Sequence, residues 1–200
     1  MKKILALILA ISLAFALAAC GGNASEETTT QPATEAPTEA PAIESALAVL
    51  EAAWATYPEE EKTYFMGGDM NNMVNGAPGK YDLADTESVE ATFGIPQANI
   101  AMVDDAASIM HGMMANNFTC AAYHVTDAAN VQVLADDVKE AIMNKQWVCG
   151  FPEKLIIVSV GSDYVVTAFG NAQTIETFKT NLLAAFDGNS ALLYEENLMA

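Results

Sequence analysis

Three cysteines, two histidines, ten methionines and a few carboxylate clusters are the residues of this chain whose types could do chemistry. Cys120 and Cys149 form an even pair once Cys20 is set aside. A disulfide between them would close a loop of about 30 residues, worth roughly 3.5 kcal/mol on a chain-entropy argument. Buried free thiols are the alternative, because Cys120 sits among small apolar residues. A nucleophilic Cys149 is the third reading, yet no histidine or lysine adjoins it and no CxxC is present to lower its pKa. His111 lies beside Met113 and Met114, and Met66, Met70 and Met73 could extend that group toward a soft metal. Methionine equally fills irregular cores, so the same residues read as packing. Cys120 and His124 would share a strand face about 13 Å apart, too far to ligate one ion. Of the acidic clusters, Asp104 and Asp105 after a strand are the best hydrolase or calcium candidates. Asp136-Asp137 and Glu59 to Glu61 read as solvated faces, and no EF-hand spacing occurs.

Serines offer no GxSxG, and the chain has neither a Walker loop nor a GxGxxG. It also has no arginine, which removes the usual bidentate clamp for phosphate or carboxylate groups. No cofactor is called for. The compact segment Trp147-Val148-Cys149-Gly150-Phe151-Pro152 concentrates two aromatics and a thiol before a strand. It can be a loop sealing the core, or an apolar recognition surface formed by Trp147 and Phe151 beside Tyr164.

Lys and Arg supply 8 residues against 26 Asp and Glu, a formal charge of -18. That balance excludes nucleic acid as the main partner, since cations must supply the attraction to phosphate. The hydrophobic share of 52% provides ample core material. At the N-terminus, Lys2 and Lys3 precede an apolar run over 4–19, shorter than the roughly 20 residues of a membrane span and suited to a secretory signal. Leu17-Ala18-Ala19-Cys20 resembles the lipobox of bacterial lipoproteins. The resemblance implies cleavage after residue 19, lipidation of Cys20, and anchoring of the chain on the outer face of the bacterial cytoplasmic membrane. Residues 20–41, rich in Thr, Glu and Pro, read as a disordered tether.

Residues 42–200 then form one globular domain. Apolar spacing places helices over 43–54, 86–93, 127–145 and 171–186, with Asp85, Asp127 and Asn171 as caps. Strands are expected near 99–103 and over 119–125, 154–160 and 164–169, the last two joined by a hairpin at Gly161-Ser162-Asp163. Residues 59–84 read as a short helix or loop covering one edge of the core. The expected fold is α+β: a mostly antiparallel sheet of about four strands, helices on one face, ferredoxin-like with permuted connectivity.

Phe93-Gly94-Ile95, the helix over 127–145, and residues 161–170 with the helix that follows resemble an uncharacterised domain family of Gram-positive lipoproteins. The similarity spans roughly 86–186, and Trp147, Cys149 and Pro152 depart from it. That family has no established activity, so the resemblance implies a small α+β domain and no chemistry. The functional expectation is a lipid-anchored binding or accessory protein for an envelope protein, peptide or cell-wall ligand. The rival is a surface enzyme, either a hydrolase or thiol-dependent.

Overall fold

A computed structural model of the chain describes residues 43–113, 117–148 and 150–198. In chain order the elements are α1 (Ala46–Trp54), α2 (Glu59–Lys62), β1 (Phe65–Gly67), β2 (Val74–Asn75), β3 (Gly79–Lys80), α3 (Thr86–Phe93), β4 (Val103–His111), β5 (Thr119–Val125), α4 (Val131–Met143), β6 (Lys154–Val160), β7 (Tyr164–Gly170), α5 (Ala172–Ala185) and β8 (Ser190–Asn197). Cys20, expected to be lipidated, and the expected signal and tether all lie outside the described residues.

All eight strands join one antiparallel sheet in the order β2-β1-β4-β5-β7-β6-β8, with β3 also paired to β4. β6 and β7 occupy the interior because their β-branched, nearly continuous apolar sequences can be buried on both faces. The expectation of about four strands is therefore wrong, and the missing strands have identifiable causes. β4 begins Val-Asp-Asp-Ala-Ala, small and charged residues with little strand preference, and the anticipated strand near residue 100 is instead a 3-10 turn, Gln97–Met102. β1, β2 and β3 hold only two or three residues each, and β1 and β3 each carry a glycine. β8 is an edge strand of mixed polarity beyond the last expected helix, in a stretch to which the sequence reading gave no element.

Helices cover both faces, not one. α1 and α5 pack on Ala107, Ile109, Cys120, Ala122, Val158 and Val166, while α3 and α4 pack on Ala106, Ala121, Tyr123, Ile157 and Val165. Connectivity explains this. The unit β5-α4-β6-β7-α5-β8 has the element order of a ferredoxin-like domain, but β4 already occupies the free edge of β5. The last strand must go to the far side of β6. Both helical crossovers then move the same way across the sheet from antiparallel strands, and two crossovers of one hand must lie on opposite faces.

Asp85 and Asn171 cap α3 and α5 as expected, Asp127 caps a 3-10 turn (Ala128–Asn130) ahead of α4 instead of α4 itself, and Ser45, not anticipated, caps α1. Lys154 and Lys179 each bridge Glu176 of α5 and Glu195 of β8, which ties the last strand to the helix before it. Asp136 and Asp137 are not simply a solvated face. Asp136 accepts from the hydroxyl of Tyr194 on β8, and Asp137 accepts from Asn99 at 2.5 Å.

Candidate functional site

β4 spans about 27 Å from Val103 to His111 at ordinary strand rise, so its two ends define two poles of the domain. Residue 43 sits at the first pole, where Tyr164 Oη donates to its carbonyl at 3.4 Å and Asp105 Oδ2 accepts the Ala46 amide at 2.8 Å. At the opposite pole α1 ends, Pro58 redirects the chain into α2, and β1 pairs Phe65 with His111. These turns leave a cleft of about 340 Å³ against the first two turns of α5.

Four rings and five polar or acidic side chains make its walls. Tyr57, Tyr64, Phe65 and His111 line it, with Glu60 and Glu61 from α2 and Thr174 and Thr177 from α5. The rings are fixed by a chain of contacts running into the core. Trp54 stacks on Tyr57 at 4.2 Å between centroids and meets Phe65 edge-on at 4.8 Å, and Phe65 meets His111 at 4.8 Å. Trp54 Nε1 donates to the Gly76 carbonyl at 2.9 Å, and the Met113 amide donates to His111 Nδ1 at 3.1 Å. Tyr64 stays exposed, its ring 6.0 Å from that of His111. The Tyr57 hydroxyl is buried without a hydrogen-bond partner, and burial, reinforced by the nearby Cys120 and Glu61, pushes its pKa up.

Aromatic faces carry negative potential, and two exposed glutamates add to it, so the cleft is suited to a cation. The positive end of α5 does not reverse this. Its first amide, from Ala172, donates to Glu153 at 2.8 Å, and the next is held by the Asn171 cap.

Of the sequence candidates, His111 falls in this cleft. Asp104 and Asp105 lie at the other pole with their carboxylates engaged. Asp104 accepts from His124 Nδ1 at 2.5 Å, and Asp163 stands 3.5 Å from the other ring nitrogen. The hydrogen bond to Asp104 is the main cause of a raised His124 pKa. Cys120 is a free thiol, fully buried beneath α1 and α5, and desolvation raises its pKa far from reactivity. That free thiol is the buried alternative of the sequence reading rather than the bridge, and Cys149, with the nucleophile reading, lies outside the described residues. Trp147 packs on Phe169 at 5.4 Å on the α4 face, and Phe151 is exposed. Tyr164 is buried on the α1 and α5 face at the other end of β7, so these three residues do not make one surface.

Tyr64 and Phe65 were missed as site residues because they belong to the stretch 59–84 read only as a cover for the core, and Tyr57 falls between that stretch and the first expected helix. The signal present was their density: three aromatics and three glutamates within nine residues. Among the described residues, no group of three or more His, Cys, Asp or Glu side chains is placed to hold a metal. No helix among them is long and apolar enough to cross a membrane. Compared with family models, curated proteins and solved structures, the chain matches none of them.

Proposed function

We propose that this chain is a lipid-anchored binding protein of the outer face of the bacterial cytoplasmic membrane, and that its distal cleft takes a cationic group of a peptide ligand. The observation that carries the reading is the pairing of aromatic walls with Glu60 and Glu61 in a cleft of ligand size. The cleft also lies at the pole of the domain away from residue 43. The envelope location follows from the lipobox-like Leu17-Ala18-Ala19-Cys20 and the apolar run before it. A hydrolase has less support, since the carboxylates of Asp104 and Asp105 are already committed to His124 and to the start of α1.

Trp54 stacks on Tyr57 and is the natural reporter. Titrating the full chain with a lysine-containing pentapeptide should give a saturable change in tryptophan fluorescence, weakened by salt and by Glu60→Gln with Glu61→Gln. An acetylated-lysine version of the peptide binding equally well would refute the cationic reading.

A further inference from the structure

A second cleft lies on the other face of β1, and its chemistry is different. Strand alternation sends Phe65 toward the aromatic cleft and Met66 to the opposite side, where Met66 pairs directly across the sheet with Met110. Met70 and Met73 reach the same space from the loop between β1 and β2, and the four enclose a cleft of about 210 Å³ together with Asp69 and Tyr81.

Met66, Met70 and Met73 belong to neither core, and Met110 packs from outside against the one beneath α3 and α4. Every fully buried position of the two cores among the described residues is taken by another residue type. Met66 and Met110 are half-buried, and Met70 and Met73 are 90% and 50% exposed. The loop that presents the exposed pair is held in place. Asp69 accepts the amides of Asn71 at 2.7 Å, Asn72 at 3.0 Å and Asp82 at 3.1 Å. The buried Ser108 hydroxyl accepts the Gly68 amide at 3.1 Å and donates to the Gly68 carbonyl at 3.2 Å. Two thioethers on a rigid sheet thus face two on an anchored loop.

We propose that Met66, Met70, Met73 and Met110 form a binding site for a soft monovalent cation, Cu(I) or its analogue Ag(I). Thioether sulfur is polarisable and uncharged, and it selects such ions over hard cations such as calcium and magnesium. The long unbranched side chains can close around an ion without moving the backbone. Asp69 at the rim and the overall charge of -18 favour the approach of any cation. The site does not include His111, which lies on the aromatic side of β1. Nor does it depend on what the aromatic cleft binds.

The test is a silver titration of the full chain with carbon-13-labelled methionine methyls, after blocking accessible thiols with N-ethylmaleimide. The methyl signals of Met66, Met70, Met73 and Met110 should move together and saturate at one equivalent, while those of Met113 and Met143 stay in place. Because thioethers carry no proton, affinity should be the same at pH 5 and pH 8. Met70→Leu with Met73→Leu changes exposed positions and should weaken binding at least tenfold with the near-ultraviolet circular dichroism unchanged. Met66→Leu with Met110→Leu should do the same from the sheet side. Undiminished affinity in the loop variant would overturn the proposal. So would shifts centred on Met113 with affinity rising from pH 5 to 8, the behaviour of a histidine site.

Discussion

The two clefts share one wall, the three-residue strand β1, and differ in almost everything else. On one side Phe65 joins tyrosines, a histidine and glutamates, a set suited to an organic cation through ring faces and charge. On the other, Met66 joins Met110 of β4 and two thioethers on a loop pinned by Asp69, a set suited to a soft ion. The lesson is that a single period-two alternation can put two chemistries back to back. It needs a short strand whose neighbours on each face come from different parts of the chain.

The largest break in that arrangement should come from Gly67→Ala. A Cβ there would sit 2.3 Å from the Gly79 nitrogen and 2.5 Å from the Ala77 oxygen, so backbone must move. We expect a loss of about 3 kcal/mol in urea unfolding and loss of binding in both clefts. Tyr64→Ala separates the two. It removes an exposed ring from the aromatic side alone and should cost about 1 kcal/mol of peptide affinity, roughly fivefold, with silver binding untouched.

Tyr57→Phe probes the unpartnered hydroxyl. Deleting a buried group that makes no hydrogen bond should leave stability unchanged or raise it by about 1 kcal/mol. A clear loss of stability would mean the hydroxyl is partnered. The smallest effect belongs to the opposite pole. His124 has a raised pKa in the folded protein, so its contribution is complete below the unfolded value of about 6.5 and is lost as pH rises through the folded one. Solvent screening holds it to less than about 1 kcal/mol. The urea midpoint should fall slightly between pH 6 and pH 8.5, and His124→Asn should abolish that slope.

How far the sequence could be read follows the same division. The helices at 86–93 and 172–185 and the β6–β7 hairpin were legible because caps, apolar period and a Gly-Ser-Asp turn agree locally. The edge β1–β3 was not, because strands of two and three residues show no period. Their pairing is fixed by β4, far along the chain, and by the Ser108 bonds to Gly68. For the same reason Asp104 was noticed but its partner was not. His124 meets it only because β4 and β5 pair, twenty residues apart. The helix faces were misread because the place of β8 decides them, and β8 looks like a tail.

The central claim is that ligand enters at the pole carrying Tyr57, Tyr64 and His111. Amide chemical-shift mapping of the full chain with the lysine-containing pentapeptide tests it most directly. Shifts should concentrate on residues 57–65, His111, Thr174 and Thr177 and saturate with the fluorescence change. Shifts concentrated instead on Trp147 and Phe151, or on Asp104 and His124 at the other pole, would contradict it.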